Sequence, residues 1–139
     1  MNQDQSPDME WIIVAEDSLP NRTILIHLLK KLGYNIIECA DGEAAWAAYQ
    51  QRGQRQVVAV LSDIMMPHLD GIGLLKNIRS VDPNLPVVLI TAVSEREYII
   101  EARALNVNGY ILKPVTFQRV SAKLKELFPE RRFPNMQTG

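Results

Sequence analysis

Three stretches of this chain are apolar at every position: Trp11-Ile12-Ile13-Val14, Val57-Val58-Ala59-Val60-Leu61 and Val87-Val88-Leu89-Ile90. A strand with one wet face alternates apolar and polar residues, because successive side chains point to opposite sides. Runs that do not alternate belong to strands buried on both faces, as in a parallel sheet covered by helices. With their flanks these become strands over Glu10–Ala15, Val57–Ser62 and Val87–Thr91, and two further runs, Asn35–Cys39 and Gly109–Leu112, complete a set of five.

The segments between the runs have helical period. Leu19–Leu32 places Ile24, Leu25, Leu28 and Leu29 at helical spacing, with Pro20 near its start and Gly33 just past its end. Asp41 caps a helix over Gly42–Gln51, Asp70 one over Gly71–Ser80, and Thr116 one over Phe117–Phe128. Ser94 with Glu97 three residues later reads as a capping box opening Glu95–Leu105. The order is β-α five times, and crossovers of that length require parallel pairing with right-handed connections.

A chain of 139 residues is one domain's worth, expected over 10–128, with 1–9 a frayed N-terminal tail and 129–139 a C-terminal tail or truncated linker. Fifteen Lys+Arg against sixteen Asp+Glu leave a formal charge of −1, so no basic field holds nucleic acid directly. The longest apolar run, Ala44–Tyr49, falls far short of the roughly 20 residues that cross a bilayer. The polar, acidic start is the reverse of a secretory signal, which makes the cytoplasm the expected compartment. One cysteine, Cys39, and two histidines, His27 and His68, exclude an internal disulfide and a Cys/His zinc cage.

In an open parallel sheet, ligands bind beyond the carboxyl ends of the strands. Glu16 and Asp17 follow the first strand, Asp63 the third, Thr91 ends the fourth, and Lys113-Pro114 follow the fifth. If those strands are neighbours, three carboxylates, a hydroxyl and an ammonium share one rim. Each close carboxylate pair costs roughly 4 kcal/mol at an effective dielectric of about 20, so such a cluster needs a cation. Hard oxygen ligands select Mg²⁺, with Mn²⁺ the alternative, and a phosphoryl group completes the site. Taken singly, Asp17 reads equally well as a helix cap, Thr91 as an ordinary strand residue and Lys113-Pro114 as a turn. Their coincidence at successive edges is what points to chemistry. His68 reads as a loop residue, His27 as a helix-surface residue, and Trp11, Trp46, Phe117 and Phe128 as packing. Cys39 reads as an inert buried thiol.

The acidic pair Glu16-Asp17, the stretch Asp63-Ile64-Met65-Met66-Pro67-His68-Leu69-Asp70-Gly71, the pair Thr91-Ala92, and Tyr110 with Lys113-Pro114 carry a specific resemblance. On these residues the chain resembles the receiver domains of bacterial two-component response regulators, of the stand-alone chemotaxis (CheY-like) type. The resemblance spans roughly Glu10–Phe128. It implies an α/β, flavodoxin-like, doubly wound (βα)5 sandwich around a five-stranded parallel sheet of order 2-1-3-4-5. It further implies that Asp63 accepts a phosphoryl group from a sensor histidine kinase or a histidine phosphotransfer protein. Glu16, Asp17, Asp63 and the backbone carbonyl of Met65 would hold Mg²⁺, while Thr91 and Lys113 would hold phosphoryl oxygens. Tyr110 would be a switch residue following Thr91, Lys113-Pro114 a cis bond, and Gly71 a structural position. The output would be a protein target read by the face of the fourth helix, fifth strand and fifth helix. Such a protein is a phosphoacceptor that catalyses only its own phosphorylation and dephosphorylation.

Met65, two residues after Asp63, and Val93, two after Thr91, are apolar at variable positions of the family and leave the phosphoryl lifetime open. Two alternatives stand beside this reading. One is a receiver-like interaction module that never takes phosphate. The other is a haloacid-dehalogenase-like phosphohydrolase, whose general acid would fall two residues after the nucleophile, where this chain has Met65.

Overall fold

The computed structural model describes residues 9–133; the remainder of the two expected tails, 1–8 and 134–139, lies outside the described residues. The elements run β1 (Trp11–Ala15), α1 (Leu19–Lys31), β2 (Asn35–Cys39), α2 (Gly42–Gln50), β3 (Val57–Asp63), α3 (Gly71–Val81), β4 (Val87–Thr91), a single 3₁₀ turn (Val93–Glu95), α4 (Arg96–Ala104), β5 (Gly109–Leu112) and α5 (Phe117–Leu127). The strands form one sheet in the order β2-β1-β3-β4-β5, and every neighbouring pair is parallel. This is the flavodoxin-like doubly wound arrangement.

The apolar runs are explained by two cores, one on each face. Ile13, Ala15, Val60, Val87 and Leu89 pack with α2, α3 and Ala102 of α4. Their alternating neighbours Ile12, Val14, Ala59, Leu61, Val88 and Ile90 pack with α1 and α5 on the other face. Each buried Ile, Leu or Val contributes roughly 1.5–3 kcal/mol relative to exposure, so a polar replacement at any of these positions is costly. The register then sets the rim. Ala15 lies beside Ser62, Asp63 beside Ile90, and Thr91 beside Leu112. Glu16, Asp63, Thr91 and Lys113 therefore fall along a single edge.

Side-chain caps start most helices. Asp41 accepts from the Ala44 amide at 2.8 Å, Asp70 from Gly73 at 2.8 Å, and Thr116 from Arg119 at 3.2 Å. The cap of α1 is Ser18, which accepts from Asn21 at 3.4 Å, and not Asp17. Asp17 is thereby left free of helix duty.

Two expectations need correction. The Ser94–Glu97 capping box is absent: a 3₁₀ turn enters α4, and the Glu95 carboxylate accepts from the Ala92 amide at 2.8 Å. The same carboxylate is within 3.2 Å of the Thr91 hydroxyl, so the turn is closed by Glu95 reaching back three and four residues to the end of β4. Ile24 is 50% exposed, because Leu25 and Leu29 face the core and Ile24 points toward the rim of the sheet. Within the expected C-terminal tail, Arg131 and Phe133 contact the domain. Arg131 pairs with Glu10, donates to the carbonyls of Leu32 at 3.1 Å and Gly33 at 3.3 Å, and stacks 4.0 Å from the Tyr34 ring centroid. Phe133 meets the same ring edge-on. A cation over the C-terminal carbonyls of α1 satisfies acceptors that the helix itself leaves bare.

Candidate metal centre

At the carboxyl edge, carboxylate oxygens of Glu16, Asp17 and Asp63 lie within 4.8 Å of one another. Glu16 and Asp63 are buried and Asp17 is exposed. The Asp63 carboxylate accepts from the Ile64 amide at 2.9 Å through Oδ1 and from the Lys113 ammonium at 3.0 Å through Oδ2. Glu16 accepts from the Ser18 amide at 3.0 Å. Arg22, which the sequence did not single out, donates to the Glu16 carbonyl at 2.8 Å and pairs with Glu38 on β2 at 2.6 Å. It fixes the chain where β1 turns into the site.

Electrostatics mark the cluster as incomplete. Lys113 brings one positive charge against three carboxyl groups. Burial, with the charge of Asp63 adding to it, pushes Glu16 from an ordinary 4.5 up to about 7, against the opposing pull of the Ser18 amide and Lys113. Burial alone would lower Lys113, but its hydrogen bond to Asp63 and the charges of Asp63, Glu16 and Glu95 outweigh it, so it stays an ammonium. Crowded oxygens on one buried and one open side are the donor set of a hard divalent cation. The residues fit Mg²⁺.

The shift on Glu16 has a sign. The folded protein keeps a proton there that the unfolded chain releases on passing from about 4.5 to about 7, so this group lowers stability as pH rises through that window. With a chelator present, thermal melting from pH 5 to pH 8 should show a steeper loss of Tm in the parent than in Glu16→Gln. Equal slopes in the two proteins would contradict the assignment.

Other residues read from the sequence occupy defined places. The Thr91 side chain is buried and its hydroxyl is within hydrogen-bond distance of the Ala92 carbonyl (3.0 Å) and Glu95 Oε1 (3.2 Å). The Tyr110 hydroxyl donates to the Ile99 carbonyl of α4 at 3.2 Å, so Tyr110 ties β5 to α4 and does not touch the acids. The Lys113–Pro114 bond is cis. Met65 stands in the β3–α3 loop, 49% exposed. Gly71 donates its amide to the Ile64 carbonyl at 2.8 Å, and a Cβ there would sit 2.3 Å from the Asp63 carbonyl. Any side chain would lever the loop away from Asp63. Gly42 is in the same position against the Leu69 carbonyl, at 2.1 Å, a long-range constraint with no local sign. Beside the acids, Glu16, Asn21, Ile24, Lys113, Pro114 and Val115 line a cavity of about 140 Å³, which accounts for the exposed Ile24.

His68 is bound to the α2 cap Asp41 at 2.8 Å and takes no part in the acid cluster. His27 is exposed on α1. Cys39 is buried, and desolvation raises its thiol to about 11, which leaves it unreactive near neutrality.

The model of the response regulator receiver domain matches residues 12–125. The chain belongs to that family. This receiver domain is 40% identical over 119 residues to a chemotaxis protein CheY-3 of Vibrio cholerae, covering 84% of this chain and 90% of that one. It is also similar to the CheY of Borrelia burgdorferi solved as a CheX–CheY–BeF3–Mg²⁺ complex, with TM-score 0.79, 28% identity, and 92% and 95% of the two chains covered. A third likeness is the receiver domain of a Pseudomonas aeruginosa sensor histidine kinase, solved with a magnesium ion in its active-site cleft. There the TM-score is 0.72 at 25% identity, over 85% of this chain and 96% of that one. Membership places the chain in two-component signalling. No helix among the described residues is long and apolar enough to cross a membrane.

Proposed function

We propose that this receiver domain is a phosphorylation-driven switch, taking a phosphoryl group onto Asp63 from the phosphohistidine of a sensor histidine kinase or a phosphotransfer protein. The observation that carries the reading is the Asp63 carboxylate itself. It is buried, steered by the Ile64 amide and Lys113, and placed among two further acids. In the transfer, an Asp63 oxygen attacks phosphorus while the phosphorus–nitrogen bond to the imidazole breaks, and the imidazole keeps that electron pair. Such transfers ask mainly for in-line positioning and charge stabilisation, not elaborate covalent chemistry.

Glu16, Asp17, Asp63 and the Met65 carbonyl would hold Mg²⁺ or Mn²⁺, which when bound offsets the repulsion between an anionic nucleophile and an anionic donor. Lys113 holds one phosphoryl oxygen as a point charge, and the Thr91 hydroxyl donates to another. Moving Thr91 opens room for Tyr110 to leave the Ile99 carbonyl, so that the surface of α4, β5 and α5 changes shape for a protein target. A change of roughly 5.5 kcal/mol would carry such a switch from 1:99 to 99:1. Part of that surface is already engaged within the chain: Arg119 donates to the carbonyls of Leu112 and Pro114, and Lys123 pairs with Glu126. Arg96 and Arg103 on α4 are exposed and available for such contact. The partners on this reading are cytoplasmic proteins, with no direct role for nucleic acid or membrane.

Activity on external phosphate esters is disfavoured by Met65, which cannot act as an acid where a haloacid-dehalogenase-like enzyme needs one. The domain acts on its own acyl phosphate only. Incubation with acetyl phosphate and Mg²⁺ tests the reading by intact mass. A gain of one phosphoryl group, lost when a chelator replaces Mg²⁺, is expected. An unchanged mass would favour the phosphate-independent module, and sustained turnover of a chromogenic ester would favour the hydrolase.

A further inference from the structure

Thr91 has one hydroxyl proton. In this structure two acceptors compete for it, the Ala92 carbonyl at 3.0 Å and Glu95 Oε1 at 3.2 Å. The same Glu95 oxygen accepts the Ala92 amide at 2.8 Å, so one carboxylate grips both the side chain and the following backbone at the end of β4. Glu95 closes the 3₁₀ turn Val93–Glu95 and stands immediately before α4. The grip thus joins the rim of the sheet to the residue that leads into α4, the helix that Tyr110 holds from the other side through the Ile99 carbonyl.

We propose that Glu95 is a positioning residue that latches Thr91 in its resting place and sets how readily a phosphoryl group is accepted. The proposal rests on the reading of Asp63 as phosphoacceptor. A hydroxyl that donates to Glu95 is not available to a phosphoryl oxygen, so the two are alternative partners for one proton. Hydrogen bonds to a carboxylate are among the stronger ones, and breaking this one opposes the switch. Once Thr91 leaves, Glu95 faces the added negative charge of the phosphoryl group with one donor fewer. The turn that opens α4 then loses its tether, which gives the chemistry a route to α4 in addition to Tyr110.

The probe is beryllofluoride with Mg²⁺, a non-covalent phosphoryl mimic, followed by amide chemical shifts of the full chain. Glu95→Gln keeps the size of the side chain while weakening the acceptor, and Glu95→Ala removes it. Both should tighten beryllofluoride binding, by about tenfold for the alanine variant, the equivalent of one charge-assisted hydrogen bond. Affinity for Mg²⁺ alone should change by less than about twofold. Loss of a nearby negative charge would also favour an anion, so the same substitutions are made in Thr91→Ala. There only the electrostatic part of the gain should remain, smaller than in the single variants, since no hydroxyl is left to be released. Single variants that bind no tighter than the parent, or a gain that is undiminished without Thr91, would overturn the latch. A parent that binds no beryllofluoride would overturn the phosphoacceptor reading and the latch together. Binding by the parent that is lost in Asp63→Asn upholds the phosphoacceptor reading, and the Glu95 variants then decide the latch by themselves.

Discussion

Replacing Lys113 with methionine should slow phosphoryl uptake from acetyl phosphate by about 10²- to 10³-fold, the scale on which one preorganised charge contributes to a transition state. The change keeps an unbranched apolar stem and removes the ammonium that sits 3.0 Å from Asp63 Oδ2. Stability should fall as well. Asp63 is almost fully buried, and a buried carboxylate without its partner costs several kcal/mol; because Lys113 is about one-third exposed, a loss of about 1–3 kcal/mol is the appropriate scale. The loss should be larger at pH 8 than at pH 5.5, since acids that lack Lys113 relieve their repulsion by taking up protons. Saturating Mg²⁺ should recover part of the stability, but not the rate. Phosphorylation kinetics and chemical denaturation at two pH values, with and without Mg²⁺, check all four expectations. Parent-like rates in the variant would remove Lys113 from the chemistry.

Asp63→Asn should abolish covalent uptake altogether, because an amide oxygen is a far weaker nucleophile than a carboxylate and the carboxamide yields no acyl phosphate. The fold should survive: the amide can still accept from the Ile64 backbone, and one charge is taken from a crowded cluster. Intact-mass measurement after acetyl phosphate treatment, beside a circular dichroism spectrum, separates loss of chemistry from loss of structure. A phosphoryl gain equal to the parent's would move the acceptor elsewhere.

The fold was legible because its signals are redundant. Uninterrupted runs such as Val57–Leu61 demand two covered faces, and Asp41, Asp70 and Thr116 each announce the helix that follows. The strand order came from resemblance; periodicity alone does not decide which strand lies beside which. The acid cluster was legible for a related reason. A parallel sheet brings its carboxyl ends to one rim, so the β-α rhythm put Glu16, Asp17, Asp63, Thr91 and Lys113 on that rim, and the order implied by the resemblance made their strands neighbours.

What was missed depends on partners distant in sequence or on competition between neighbours. Arg131 and Phe133 read as tail because their partners, Glu10, Leu32, Gly33 and Tyr34, lie about a hundred residues earlier in the chain. The Ser94–Glu97 box had the right spacing, yet Glu95 won the Ala92 amide because Thr91 and the β4 edge already hold it there. That local failure fell on the element next to the site, where strain and function compete with propensity. Ile24 kept the helical period of Leu28 but stands at the cavity beside Lys113, a distinction that no helical wheel draws. The burden on Gly42 and Gly71 is likewise invisible until the backbones they face are in place.

The destination of the phosphoryl group is the central claim. An aspartyl phosphate is an acyl phosphate, and borohydride reduces it to the alcohol, which turns the acceptor aspartate into homoserine. Peptide mapping of the acetyl-phosphate-treated protein after reduction should find homoserine at position 63, only in the sample that contained Mg²⁺. Homoserine at position 17 or 70, or none at any aspartate of a protein that has gained a phosphoryl group, would contradict it.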